Sequence, residues 1–257
     1  MVRRIDLALL PLEATRIAAD CYVAVDMLRA TTTISTLFSA GLRDLVAVNS
    51  LAQAYALAGT EGRLLAGEVG GLPPDGFELG NSPVDASEID ADGRGAVLFT
   101  TNGTAALCAL AAHGHVIAGA LANATAVAHA IADFEHVCIV CAGNEGGLRF
   151  ALEDFAAAGA IISRVQRLHP GAELGDAAGL AITQPGYENW LAVGLPQQTG
   201  ASARMIASSE HGRKLAALGL AADIHFAAQA DTSAAVPTVV EFGEGWARLV
   251  NAAVRAN

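Results

Sequence analysis

The chain has 257 residues, 53% of them hydrophobic and 16% charged, and a formal net charge of −11 from 26 acidic and 15 basic side chains. A chain this long and this apolar offsets its ordering entropy by burial, which rules out disorder and removes any need for disulfides or a structural metal. The diffuse negative charge argues against nucleic acid and anionic membrane as partners, both of which demand a basic patch, but admits a small anion held in a local pocket.

The first residues, Met1-Val2-Arg3-Arg4-Ile5-Asp6, meet an acidic residue and then Pro11 too early for a secretory signal, and no run of 18 apolar residues occurs. Short apolar runs rich in β-branched residues predict strands at 5–10, 21–26, 45–49, 63–66, 96–100, 115–118 and 136–142. Between them helical patterns occupy 32–39, 51–58, 105–112 and 125–132. Beyond Ala151 the pattern turns more helical, at 152–168, 176–192 and around 213–218; two strands at 223–227 and 238–242 lead to a closing helix at 246–256. The alternation predicts an α/β fold with a largely parallel or mixed sheet and helices on both faces. It forms a single compact unit over 1–257, or two similar lobes (about 1–150 and 151–257) without a flexible linker and with the site in the cleft. The Ala-rich helices after Asp176 supply the second half of the core or a homodimer face. Cys138 and Cys141 stand three apart in a strand-like run and so point to opposite faces. With Cys21 and Cys108 they read as buried free thiols of a cytoplasmic protein.

The strand at 21–26 runs into Arg29-Ala30-Thr31-Thr32-Thr33, a helix and Gly41; the strand at 96–100 runs into Thr101-Asn102-Gly103-Thr104, a helix and Gly114. Thr31 to Gly41 and Thr104 to Gly114 both span ten residues, an internal echo that duplication or ordinary α/β geometry would produce. Ligands of open parallel sheets bind beyond the carboxyl ends of strands, and three such junctions carry unusual polar groups. At the first, Asp26 ends a strand, Arg29 offers a planar cationic fork, and three hydroxyls lie at a helix start whose free N–H groups favour an anion. The same residues suit a Thr cap with Arg29 in a structural ion pair. At the second, Gly103 permits close approach of a ligand, or simply an ordinary tight turn. The third is Ala142-Gly143-Asn144-Glu145-Gly146-Gly147-Leu148-Arg149, followed on a helix by Glu153-Asp154.

The long loop 70–83 and its flanks add Glu68, Asp75, Glu78, Asn81 and Asp85. Carboxylates beside an anion-binding end suggest a hard divalent cation such as Mg²⁺. The scattered histidines argue against catalytic zinc, and no P-loop, GxSxG nucleophile elbow, DxDxT or cysteine-phosphatase signature occurs. These patterns leave an acid-and-hydroxyl site for an anionic small molecule.

Several blocks then occur in a telling order. They are Asp26-x-Leu28-Arg29-Ala30-Thr31-Thr32-Thr33-Ile34, Gly67-Glu68, Gly76-Phe77-x-Leu79-Gly80-Asn81-Ser82-Pro83 and Thr100-Thr101-Asn102-Gly103-Thr104. Cys141-Ala142-Gly143, Phe150-x-x-Glu153-Asp154-x-x-x-Ala158-Gly159 and, in the tail, His211-Gly212, Asp223-Ile224 and Val236-Pro237 follow. From about Asp26 to Pro237 the chain resembles the 2-phosphosulfolactate phosphatase family, departing from its pattern at Val69, in place of Arg, and Asp85, in place of Glu. The resemblance implies Mg²⁺-dependent hydrolysis of 2-phospho-3-sulfolactate, a step toward coenzyme M. On that reading Asp26, Glu68 and Asp154 are metal-ligand candidates, with Glu153 a ligand or general base. Arg29, Thr31, Thr32, Thr33, Asn81, Thr101, Asn102, Gly103 and Thr104 line the phosphate site, and Arg149 meets the sulfonate or carboxylate. Water attacks in line, or Asp26 or a Thr forms a phosphoenzyme. Arg29→Ala and Asp154→Asn are expected to fold normally and lose roughly 10²–10³ in rate.

Overall fold

The computed structural model describes residues 1–58, 62–183 and 199–255. Its elements are β1 (Arg4–Ala8), α1 (Pro11–Ala14), β2 (Cys21–Val25), α2 (Ala30–Ser39), β3 (Asp44–Val48), α3 (Leu51–Ala58) and β4 (Leu64–Gly67). Then come α4 (Pro83–Glu88), β5 (Gly95–Phe99), α5 (Gly103–Leu110), β6 (His115–Gly119), α6 (Ala124–Ala130), β7 (His136–Cys141) and α7 (Leu152–Leu168). The remainder comprises β8 (Glu173–Leu174), α8 (Asp176–Thr183), α9 (Thr199–Ser208), α10 (Glu210–Ala217), α11 (Ala221–Ala227), β9 (Pro237–Gly243) and β10 (Trp246–Asn251).

Among the described residues the strands make one ten-stranded mixed sheet, in the order β4-β5-β3-β10-β9-β6-β2-β7-β1-β8. Every position of β2, β3 and β4 is buried, as continuous apolar runs should be when helices cover both faces. Ile5, Leu7, Val23, Val25, Ile139 and Cys141 face α6, α7 and α8. On the opposite face Ala8, Tyr22, Ala24, Cys138 and Val140 meet α2 and α5. Cys138 and Cys141 therefore do point to opposite faces, and all four cysteines are free. Burial pushes the thiols of Cys21, Cys108 and Cys138 up to about 12, so they are not nucleophiles.

β6, β2, β7, β1 and β8 are parallel to one another, as are β3, β5 and β4. Between the two sets lies the hairpin of β9 and β10, with β10 antiparallel to β3 and β9 antiparallel to β6. The reversals across this hairpin make the two sets run in opposite directions. Helix α2 leaves the end of β2 in one set and delivers the chain to β3 in the other, while α5 leaves β5 and returns it to β6. The two crossings bring their first turns together: a Cβ on Gly103 would lie 2.5 Å from Ala30 Cβ and 2.6 Å from Asp26 Oδ2. The ten-residue echo is thus a pair of β-α-β crossings whose helix starts abut.

Two predicted elements change type. Residues 223–227 belong to helix α11, because Asp223, Ile224 and Ala227 are the buried positions, and i, i+1, i+4 is helical spacing. Of the closing helix predicted at 246–256, Trp246–Asn251 is instead strand β10, whose Ala247 and Leu249 alternate with more exposed neighbours, Ala252–Arg255 forms a short 3-10 turn of helix, and residue 256 lies outside the described residues. Glu244 and Gly245, the latter at φ +76, turn it back on β9, and pairing with β3 and β9 overrides the helical spacing of Trp246, Leu249 and Ala253. Of the helix predicted over 176–192, Asp176–Thr183 forms α8 and the rest lies outside the described residues. The C-terminal hairpin sits in mid-sheet, so the parallel sets are not sequence halves divided near residue 150.

Candidate active site

The two helix starts are built alike. At the end of β2 the Thr31 hydroxyl donates to Asp26 O at 2.8 Å and accepts from Asp26 N at 3.0 Å. At the end of β5 the Thr104 hydroxyl donates to Thr100 O at 2.9 Å and accepts from Thr100 N at 3.0 Å. The next N–H in each turn binds a carboxylate from another element, Asp154 in the first turn of α7 and Glu68 just after β4. Met27 N donates to Asp154 Oδ1 at 2.8 Å, and Gly143 N reaches Oδ2 at 3.0 Å. Thr101 N donates to Glu68 Oε1 at 2.8 Å, and Gly71 N reaches Oε2 at 2.7 Å. Asp154 and Glu68 are therefore clasps, each fastening two loops at strand ends.

Arg29 is buried and fixed from two sides: Nη1 donates to Asp223 Oδ2 at 2.7 Å and Nη2 to Gly71 O at 2.7 Å. Ser82 Oγ donates to the other Asp223 oxygen at 2.6 Å, so both oxygens of the buried carboxylate are hydrogen-bonded. The structural ion pair weighed for Arg29 is thus present. The hydroxyls expected to line the phosphate site lie inside the fold instead. Thr32 Oγ1 donates to Met27 O and Thr33 Oγ1 to Asn81 O, while those of Thr31 and Thr104 close the turns. A small β-branched hydroxyl at a buried helix start finds a backbone carbonyl before it finds a ligand. The N–H of Thr104 is likewise bound by Thr100 Oγ1. Asn81 is buried, with its side-chain oxygen unpartnered.

Four acidic side chains, Asp26, Glu68, Glu153 and Asp154, are buried at this junction. Burial, reinforced by the charges of Glu68 and Glu153, pushes the Asp26 carboxyl up to about 7 against the help of Ala30 N–H and Arg29. Burial raises Asp154 well above its usual range, with Asp26 and Glu153 adding to the shift, and burial also raises Glu153. Ser209, the N-cap of α10, accepts from Gly212 N at 3.0 Å, and its nearby hydroxyl favours the charged form of Glu153 against the effect of burial. The second Glu153 oxygen has no partner.

Beside the cluster opens a cavity of about 470 Å³. One wall is formed by Glu68, Thr101, Asn102 and Asn144 from strand-end loops, the other by Glu210, His211 and Lys214 of α10. Asn102 also accepts from Gly146 N at 2.8 Å, joining the second and third junctions. Gly71 lets α10 seat here, since a Cβ on it would come within 2.8 Å of Leu218. Burial and the charges of Lys214 and Arg29 push His211 down to about 4, so its imidazole is neutral near pH 7. Arg149 stands on the rim, bonded to Glu145 at 3.0 Å and Glu210 at 2.9 Å. Asp75, Glu78 and Asp85 do not line the cavity; Glu78 pairs with Arg94 at 3.0 Å. The α10 wall was missed as a site by sequence reasoning. Its signal was Glu210, His211 and Lys214 at helical spacing, with Lys214 the only lysine of the chain.

Asp26, Glu68 and Asp154 are not arranged as a ready-made cage: among the described residues no three acidic, histidine or cysteine side chains converge to hold one ion. Glu68 and Asp154 direct both oxygens to backbone N–H groups. The donor set still suits a small hard cation taken by one or two carboxylates, with water and phosphate completing its shell. The donors are oxygens, their negative charge is in surplus, and Glu153 keeps a buried oxygen unpartnered.

The fold and this junction define an α/β protein in which two helix starts abut beside a cluster of buried carboxylates. Comparison with known proteins identifies the family. The family described as 2-phosphosulpholactate phosphatase matches residues 9–241. A probable 2-phosphosulfolactate phosphatase of Deinococcus radiodurans is 41% identical over 225 residues, covering 86% of this chain and 88% of the relative. Proteins of the same description from Thermus thermophilus and Thermotoga maritima are 38% and 35% identical, covering 86% and 85% of this chain and 88% of each relative. The chain belongs to the 2-phosphosulfolactate phosphatase family and is a phosphoric monoester hydrolase. No helix among its described residues is long and apolar enough to cross a membrane.

Proposed function

We propose that this phosphatase hydrolyses 2-phospho-3-sulfolactate to 3-sulfolactate and phosphate, the coenzyme M type of reaction, with Mg²⁺ as its cofactor. The observation that carries the reading is the meeting of two helix starts, which favour an anion, with Asp26 inside a cluster of buried carboxylates, which favours a cation. Mg²⁺, when bound, supplies Lewis acidity to a phosphate oxygen and offsets the charge that accumulates in the transition state. Asp26 would hold it, and Glu68 and Asp154 keep the surrounding loops in register.

The chain's own groups divide the remaining work. N–H groups of the Thr101–Gly103 turn not engaged by Glu68, with the unengaged N–H groups of Arg29, bind phosphate oxygens. Glu153, whose carboxyl burial raises and whose buried oxygen is unpartnered, exchanges a proton with the attacking water. Each such charged contact contributes about 2–4 kcal/mol to transition-state stabilisation. The test is a panel of phosphate esters assayed with and without EDTA. Phosphosulfolactate should be turned over best, with activity lost to EDTA and restored by Mg²⁺. Equal preference for phospholactate or phosphoglycolate would assign another short phospho-acid, metal-independent hydrolysis would remove the cation, and binding without turnover would make the protein a receptor for such an anion.

A further inference from the structure

A phospho-acid such as phosphosulfolactate carries anionic groups besides the phosphate, and each needs a countercharge. Four basic side chains stand in or beside the cavity, and three are engaged or neutral. Arg29 is bound to Asp223 and Gly71. Both terminal nitrogens of Arg149 are taken, by Glu145 and Glu210, and Arg149 is not on the cavity wall. His211 is neutral near pH 7. Lys214 remains. It stands four residues after Glu210, the spacing at which a helical Glu–Lys pair normally forms. Glu210, however, gives its carboxylate to Arg149 at 2.9 Å. Among the described residues no carboxylate or carbonyl partners the Lys214 ammonium, which is exposed on the α10 wall facing Glu68, Thr101 and Asn102.

We infer that Lys214 is the specificity determinant of the site, receiving the sulfonate or carboxylate of the substrate while the helix starts take its phosphate; this rests on the phosphatase reading above. The role expected for Arg149 thereby passes to Lys214, and the Arg149–Glu210 pair serves to keep Glu210 from neutralising it. A compact ammonium with three donors on a flexible stem suits a tetrahedral sulfonate as well as a planar carboxylate. The favoured substrate class is a short phosphate monoester with a second ionised acid close to the ester carbon.

The experiment compares phosphosulfolactate with phenyl phosphate, which has no second anion, in the wild type, Lys214→Ala and Lys214→Arg. The ratio of kcat/KM for the two esters should fall about 10- to 100-fold in Lys214→Ala, mostly through KM for phosphosulfolactate, and largely recover in Lys214→Arg. A ratio unchanged by Lys214→Ala overturns the inference. Calorimetric binding of 3-sulfolactate reads the same contact without turnover. If the wild type hydrolyses neither ester yet binds sulfolactate through Lys214, the catalytic reading fails and this one stands. If binding is indifferent to Lys214, this inference fails by itself.

Discussion

Asp26 connects pH and stability through one proton. Its ordinary value is 3.8 and its folded value about 7, so between these limits the folded chain holds a proton that the unfolded chain has released. Stability therefore falls as pH rises through that window, by up to about 1.4 kcal/mol per pH unit, and levels off above it. Raised values at Glu153 and Asp154 act in the same direction. Asp6 and Asp44, held below the usual range by their arginine partners against the effect of burial, act oppositely and only in more acidic solution. Thermal unfolding of the metal-free protein from pH 4 to 8 should show this decline, Asp26→Asn should flatten it, and Mg²⁺ should reverse it at the alkaline end. The buried contacts also revise what simple substitutions do. Arg29→Ala leaves Asp223 as an uncompensated buried charge, which should destabilise by about 3–5 kcal/mol, with Asp223→Asn added in the same chain recovering part of the loss. Asp154→Asn keeps one acceptor for two N–H groups and should lose about 1–3 kcal/mol. Both variants need unfolding curves beside their kinetics, contrary to the expectation that they fold normally.

Elements meet at the site through a few close approaches. At Gly103 an added methyl would fall on Ala30 and the Asp26 carboxylate. Gly103→Ala should separate the starts of α2 and α5, reducing activity by 10²-fold or more at a stability loss of about 1–3 kcal/mol, measured by kcat/KM and denaturant midpoint. Pairing of strand ends with helix starts was legible in the sequence, because Thr31 and Thr104 recur at like positions after apolar runs. The direction of their hydroxyls was not. A Thr at a helix start suits a ligand and a turn equally, and only the depth of burial chose the turn. Helix α11 and strand β10 were misread because 223–227 and 246–251 are short apolar runs whose spacing satisfies both periods; Asp223 at the head of the first run was the local hint of a helix contact.

For the whole molecule, the hairpin of β9 and β10 is the only hydrogen-bonded link in the sheet between its two parallel sets among the described residues. The helices α2 and α5 cross the same division. Neither set can keep its edges covered without the other, so unfolding should be a single transition with equal calorimetric and van't Hoff enthalpies. A chain ending at Ala235 should expose the edges of β3 and β6 and fail to accumulate as a soluble monomer.

Read by itself, the sequence determined the α/β class, the strand ends at which polar groups gather and, through its ordered motif blocks, the family. These reside in alternation, glycine placement and short motifs, all confined to windows of a few residues. Tertiary structure decided which polar groups bind one another and which are left for a ligand. Arg29 is claimed by Asp223 across 194 positions and Glu210 by Arg149 across 61, leaving Lys214 uncommitted. Such competition depends on distance in space, on which local pattern is silent.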